Sequence, residues 1–387
     1  MGNPPLFLVA ALSGRALAAA ARRAERGALV LDLFGDVDTR AHATASLMVR
    51  GSVARGFDPA ALLEAAERLA PVGRGVEQGL VYGAGFEAQP ALLADLGRGR
   101  RLFGNPPETL ARVKDPAAFF GLLDRLGLPY PEISLERPDD AADWLCKRVG
   151  ASGGGHVRAA ILNNGEPGDR YYQRRIDGQT LSALFLADGR AARLLGFSEQ
   201  WVSPGEAEPY RFGGAVRPAR VGPTLARDLA AAVDGLVREI GLVGLNSLDV
   251  IASDDGFAIL EVNPRPGATL DIFDGTDPET ALFTLHLAAC EGKLPRQWGA
   301  PHRSPPEAKA TAIVYADRRL TVPADFSWPE GTVDRPEAGT IIERDEPVCT
   351  VLSRADGPEA ARARAAAQGA AVLSALHAEP VVAAQAG

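Results

Sequence analysis

The sequence predicts a mixed α/β and α+β chain, on three observations. Apolar runs and Ala-rich helical stretches alternate through the first part of the chain. The middle reads mainly as strands joined by glycine loops. The last part returns to short strands and ends in an Ala/Arg-rich helical stretch. The 387 residues are 46% hydrophobic and 23% charged, ordinary globular usage that excludes disorder, collagen and a disulfide-stapled miniprotein as overall descriptions.

Taken in order, residues 6–11 form an apolar strand, Ser13-Gly14 turns the chain, and 15–25 form a helix that Gly27 stops. A second apolar strand, 28–34, ends on Asp32, Gly35 and Asp36. This βαβ rhythm implies a parallel sheet, and the absence of GxGxxG after the first strand disfavours a dinucleotide site. Residues 79–82 are a further short strand leading into the tight loop Gly83-Ala84-Gly85-Phe86-Glu87. Gly104-Asn105-Pro106-Pro107-Glu108 is turn chemistry and a candidate boundary. One helix is expected over 109–126, stopped by Gly127 and Pro129, then mainly strands over 144–292 with a helix at 222–240. Four prolines in 295–306 suggest a linker or surface crossing. Residues 308–352 read as strands and 358–377 as a helix, with a frayed tail beyond.

Lys and Arg (41) nearly balance Asp and Glu (49), giving a net charge of −8 with both signs interleaved. No basic stripe offers a nucleic-acid or anionic-membrane footprint. Cys146, Cys290 and Cys349 lie far apart without CxxC spacing, which fits a reduced cytoplasmic chain and no zinc site. No apolar run reaches the ~18 residues of a membrane span. The start, Met1-Gly2-Asn3-Pro4-Pro5, lacks the basic residues of a signal peptide, and Arg15, Arg22 and Arg23 soon interrupt the apolar run that follows it. A cytoplasmic protein is expected.

Two segments carry chemistry. In the first, Lys147 sits on a strand that runs into Gly150-Ala151-Ser152-Gly153-Gly154-Gly155-His156 and returns as a strand. Glycines let backbone N–H groups converge on an anion; Lys147 adds a point charge and Ser152 a hydroxyl. The same pattern also fits a flexible hairpin tip, and His156 is either a phosphate or substrate contact or a structural histidine. No Gly-Lys-Ser/Thr follows, so this is not a Walker A loop. In the second, two strands flank an Asp254-Asp255-Gly256 turn. Folding there brings Asp249 alongside Glu261, with Asn263 on the face of Glu261. Two carboxylates and an amide oxygen suit Mg²⁺ shared with nucleotide phosphates. Arg265, just beyond, is placed to hold a transferring phosphoryl group. The alternative for Glu261 and Asn263 is an exposed strand face, although Asn263-Pro264-Arg265-Pro266-Gly267 is poor strand sequence.

In this order, with the hinge Tyr171-Tyr172-Gln173-Arg174-Arg175-Ile176-Asp177-Gly178 between them, these segments resemble the ATP-grasp superfamily. The resemblance implies a Rossmann-like pre-ATP-grasp domain (1–108), an ATP-grasp core of two subdomains (109–294) and a small α+β C-terminal domain like that of biotin-carboxylase members (295–387). It implies that Lys147 touches the α-phosphate and adenine edge and that Ser152, Gly153, Gly154, Gly155 and His156 cover the β- and γ-phosphates. By the same likeness Gln173, Arg174 and Ile176 read adenine, Leu260 packs on its face, and Asp249, Glu261 and Asn263 hold Mg²⁺ (or Mn²⁺). Arg265 and Lys147 are the implied catalytic groups. Two departures stand out. Gln173 replaces the usual hinge Glu, with Thr180 and Ser182 where a ribose-binding acid usually follows. Pro116 occupies the slot of the first nucleotide lysine, with Lys114 nearby as a substitute.

The implied activity is ATP-dependent carboxylate–amine ligation through an acyl phosphate, on small-molecule substrates and without nucleic acid or membrane. A homodimer is expected only as the commonest oligomer. Tyr82 to Glu87 and Leu102 to Glu108 look like ATP-grasp proteins of one-carbon cofactor synthesis, of the tetrahydromethanopterin and methanofuran type. Such a relative would join glutamate to an amine such as tyramine; Gly85 and Glu87 either line the substrate side of the cleft or form a structural turn after the strand. The alternatives are a biotin-carboxylase-like enzyme, a phosphotransferase and a non-catalytic nucleotide-binding protein.

Overall fold

The computed structural model describes residues 4–162, 169–254, 256–275, 277–296 and 307–378. Asp255 of the expected turn, most of the expected 295–306 linker and the expected frayed tail from residue 379 lie outside them. Among the described residues the strands form three principal sheets. The first is parallel, with strands Leu6–Ala10, Gly27–Asp32, Ala45–Met48, Leu80–Tyr82 and Leu102–Phe103 and the first of them central. Its two inner neighbours run out in opposite directions of chain order, which opens a crevice at the carboxyl ends of Leu6–Ala10 and Leu80–Tyr82. The second is an antiparallel four-stranded sheet that includes Trp144–Arg148, Arg158–Ala159 and Arg170–Arg174, here called the flap sheet. The third is a large antiparallel sheet of eight strands.

The large sheet orders its strands Gly256–Asn263, Val243–Ser253, Gln179–Asp188, Ala192–Val202, Phe212–Arg217, Ala308–Tyr315, Pro347–Ala355 and Thr332–Val333. Strand Ala308–Tyr315 pairs with Phe212–Arg217, so one sheet takes in residues from both sides of the 295–306 segment. Strand Gln179–Asp188 within it is covered on both faces: Leu181, Ala183 and Phe185 enter one core, and Leu184 and Leu186 the other. Helices Pro223–Ile240 and Pro116–Leu126 pack through Leu229, Val233, Leu236, Phe119 and Leu123.

Two elements differ from the sequence expectation. The helix expected over 109–126 is broken into Pro107–Lys114 and Pro116–Leu126. Asp115 is extended (φ −78°, ψ 118°), and its side chain accepts a hydrogen bond from the Ala118 amide, so it ends one helix and caps the next. Pro116 is at home in the first turn of the second helix but disfavours helical backbone at the residue before it. The break leaves Lys114 at a helix end.

The second difference is helix Leu282–Cys290, inside a stretch expected to hold strands. It reads Leu-Phe-Thr-Leu-His-Leu-Ala-Ala-Cys, apolar nearly all round, because it lies between two sheets. Phe283, 1% exposed, shares a core with Val9, Val30 and Phe103 of the parallel sheet and Leu184, Leu186 and Leu245 of the large one. Its ring meets Phe7 edge-on at 5.5 Å. His286 is buried and satisfied on both nitrogens, its Nδ1 accepting from the Leu245 amide and its Nε2 facing the Phe103 carbonyl at 3.1 Å. No helix among the described residues is long and apolar enough to cross a membrane.

Two outcomes follow from this packing. Phe283→Ala opens a cavity between the sheets and should cost about 3–5 kcal/mol in urea unfolding. Burial pushes the His286 imidazole down to about 4. Stability tied to its neutral form is therefore complete above about pH 6.5, the unfolded value, and drains as pH falls toward 4. Ring NMR shifts of His286 should stay flat from pH 7.5 to 5.

Candidate active site

The carboxylate pair is set by strand register. In the hairpin of Val243–Ser253 and Gly256–Asn263, Asp249 lies opposite Glu261 and Ser247 opposite Asn263, with a bulge between Asp249 and Val250. The next strand places Ser182 opposite Asp249. Its hydroxyl donates to Asp249 Oδ1 at 2.6 Å, and Asn263 Nδ2 donates to Asp249 Oδ2 at 2.9 Å. The Ser182 bond was not legible in sequence, since it joins strands from distant parts of the chain.

Lys114, from the broken helix, completes the cluster. Its Nζ lies 2.7 Å from Glu261 Oε2 and 3.4 Å from Asn263 Oδ1. Burial pushes the Glu261 carboxyl up, but Lys114 and then Lys147 outweigh it and hold it at about 2. Asp249 moves the other way, to about 6, through burial and the adjacent charge of Glu261. Asp249, Glu261 and the Asn263 amide oxygen are hard oxygen donors and fit a magnesium-type ion. The Lys114 ammonium already bridges two of these atoms as a stand-in cation. Among the described residues no three His, Cys, Asp or Glu side chains gather into a further metal cluster.

Facing the hairpin is the glycine flap. Lys147 on strand Trp144–Arg148 donates to Gln173 Oε1 at 2.5 Å. Burial lowers the Lys147 pKa, while the charges of Glu261 and Asp249 oppose that shift. Gln173, 1% exposed, has a buried Nε2 without a partner among the described residues, and so does His156 at Nδ1. Burial pushes His156 down to about 4, so its ring is neutral at pH 7. Gly153 and Gly154 have φ of +73° and +72°, a backbone that side-chain-bearing residues rarely adopt.

Ser152, Gly155, Arg174, Ile176 and Leu260 line the same cavity as Lys147, Asp249, Glu261, Asn263 and Arg265, about 1960 Å³ in volume. The Arg174 guanidinium, however, reaches toward Asp143 at 3.7 Å and the Trp144 ring at 5.9 Å, and its amide is bonded to the Glu132 carbonyl.

The expectation for the substrate side needs correction. Gly83 and Ala84 line the cavity; Gly85 and Glu87 do not. Glu87, 4% exposed, accepts from Arg265 Nε at 2.6 Å and from the Gly85 amide at 2.7 Å. Burial raises its carboxyl pKa, but Arg265 and Lys114 more than compensate and hold it below the usual range. Glu87 thus fixes the Arg265 guanidinium, whose Nη2 lies 3.4 Å from Asn263 Oδ1. No local pattern signals this pair, whose members lie far apart in the chain.

Residues 113–269 match the family model for the ATP-grasp domain. Over 240 residues the chain is 24% identical to the carbamoyl phosphate synthase large chain of Myxococcus xanthus, covering 56% of this chain and 22% of that protein. The chain therefore spans about a fifth of that relative's length. Among solved structures it resembles the biotin carboxylase domain of Hydrogenobacter thermophilus 2-oxoglutarate carboxylase, determined with MgADP, ADP and bicarbonate. The TM-score is 0.69 at 15% identity, covering 94% of this chain and 89% of that one. It also resembles L-amino acid ligase from Bacillus licheniformis, with a TM-score of 0.67 at 14% identity, covering 95% and 98%. At such identities the structural likeness establishes the fold.

Lys114→Met should leave the Glu261 carboxylate without its counter-ion. About a third of that side chain faces the cavity (34%), so water takes part of the load, and the expected loss is about 1–2 kcal/mol in urea unfolding. The double variant with Glu261→Gln should recover part of it.

Proposed function

We propose, from the premise that residues 113–269 form an ATP-grasp domain, that this chain is an ATP- and Mg²⁺-dependent carboxylate–amine ligase. The carrying observation is that one cavity holds the Asp249–Glu261–Asn263 oxygens, the Lys147 ammonium, the glycine flap and a buried, anchored Arg265. A carboxylate is a poor acyl donor because its leaving group is poor; phosphorylation converts it to an acyl phosphate that an amine can attack. Mg²⁺ bound by Asp249, Glu261 and Asn263 would supply charge neutralisation on the phosphates. Lys147 would hold phosphate oxygens, and Lys114 would shift from Glu261 toward the nucleotide when a metal takes its place. Arg265, held by Glu87, would bind the transferred phosphoryl group without reorganising. The flap over the site would exclude water from the acyl phosphate.

For substrates, the reading is glutamate joined to a tyramine-like amine in one-carbon cofactor biosynthesis. The segments Tyr82 to Glu87 and Leu102 to Glu108 support it, and Gly83 and Ala84 bring the first of them to the cavity wall. The likeness to a biotin carboxylase domain favours a second reading, ATP-dependent carboxylation, in which turnover would require bicarbonate.

The test is ADP and phosphate release with magnesium, pairing glutamate and other amino acids with a panel of amines and, separately, with bicarbonate. Amine-dependent turnover with a new amide product is expected, and Glu261→Gln should lower it at least ~100-fold. Bicarbonate-dependent turnover without an amide would favour the second reading. Undiminished turnover in Glu261→Gln would remove the metal assignment.

A further inference from the structure

The glycine flap does not stand free in this structure; it rests on the hairpin loop 203–211 that links strands Ala192–Val202 and Phe212–Arg217. The Phe212 amide donates to the Gly153 carbonyl at 2.9 Å. Gly154 packs so closely on that loop that a Cβ there would come within 2.0 Å of the Tyr210 carbonyl oxygen. The loop is itself pinned from a third direction. Arg211, 5% exposed, donates through Nε to the Ser203 carbonyl at 2.6 Å and through Nη1 to the Asp345 carbonyl at 2.8 Å, and pairs with the Asp345 carboxylate at 3.0 Å. Its guanidinium lies 3.7 Å from the centre of the Tyr315 ring. The Tyr315 hydroxyl donates to the Phe212 carbonyl at 2.9 Å. Asp345 holds its place at φ +70°, a backbone that costs energy away from glycine.

We infer that Arg211 and Tyr315 are positioning residues for flap closure: they fix loop 203–211 as the stop against which Gly153 and Gly154 close, and so couple residues 315 and 345 to the cover over the phosphates. A single residue carries the connection, since Phe212 gives its N–H to the flap and its C=O accepts from Tyr315. Both side chains line the cavity but are engaged within the protein, Arg211 with Ser203 and Asp345 and Tyr315 with Phe212. The consequence for catalysis rests on the ligase reading above: a loosened stop would let water reach the acyl phosphate, so that ATP is spent without product.

The decisive experiment is amide hydrogen exchange on the nucleotide-free protein, comparing wild type with Tyr315→Phe, which removes one hydroxyl, and Arg211→Met, which keeps apolar contact with the ring. Exchange at the Val157 and Phe212 amides, bonded to the Gly154 and Gly153 carbonyls, should rise about tenfold in both variants while amides of strand Val243–Ser253 stay protected. Unchanged flap exchange in both variants would overturn the inference. In turnover assays, the ratio of phosphate released to amide formed should rise at least twofold in both variants. Faster flap exchange with that ratio unchanged would overturn the catalytic consequence. A wild-type protein that binds no nucleotide would overturn the ligase reading, while the exchange data would still decide the positioning roles.

Discussion

Two carboxylates on neighbouring strands repel each other, and much of this molecule is arranged around that constraint. Asp249 and Glu261 stand opposite in an antiparallel pair, a geometry in which like charges destabilise the sheet. The load is divided unequally. Glu261 takes the Lys114 ammonium and stays ionised, whereas Asp249 takes the neutral donors Ser182 and Asn263 and shifts toward its protonated form. An added cation would relieve the pair more fully than these donors do. The break at Asp115 makes this division possible, because a continuous helix would not end at Lys114.

What was legible in the sequence was local. The alternation that builds the parallel sheet, the strand–glycine loop–strand unit around Lys147 and the hairpin bracketing Gly256 each rest on residues close in the chain. The split of helix 107–126 was hidden because proline in a first helical turn reads as readily as a start as a break. Helix Leu282–Cys290 was hidden for another reason: buried between two sheets, it has no polar face, so its hydrophobic pattern has no period to detect. The pairs Arg265–Glu87 and Ser182–Asp249 are products of the tertiary fold. Spacing along the chain does not reveal which distant residues will meet once it folds.

Early and late segments of the chain also meet at the crevice of the parallel sheet. Arg15, at the start of the first helix, is buried between Asp271 and Asp334. Arg335 pairs with Asp38, and its carbonyl accepts from the Val37 amide. Each cation here is matched by carboxylates, so this wall of the cavity is held by internal ion pairs. Arg265 is likewise neutralised by Glu87. On the flap side Lys147 differs in having a neutral hydrogen-bond partner, Gln173.

The large sheet has a mechanical implication. Strand Ala308–Tyr315 enters it between Phe212–Arg217 and Pro347–Ala355, paired with the second along its length and with the first over Lys309 to Ala312. The floor beneath the hairpin carboxylates is thus a single stiff plate shared by early and late parts of the chain. By contrast, the flap sheet encloses a small cluster of its own, built on Ala141, Trp144, Cys146, Ala160 and Tyr172, and meets the larger core through Ile133 and Tyr171. A heavy base and a light cover let thermal motion be spent almost wholly on the cover, so a guest could come and go while the oxygen ligands beneath it keep their spacing.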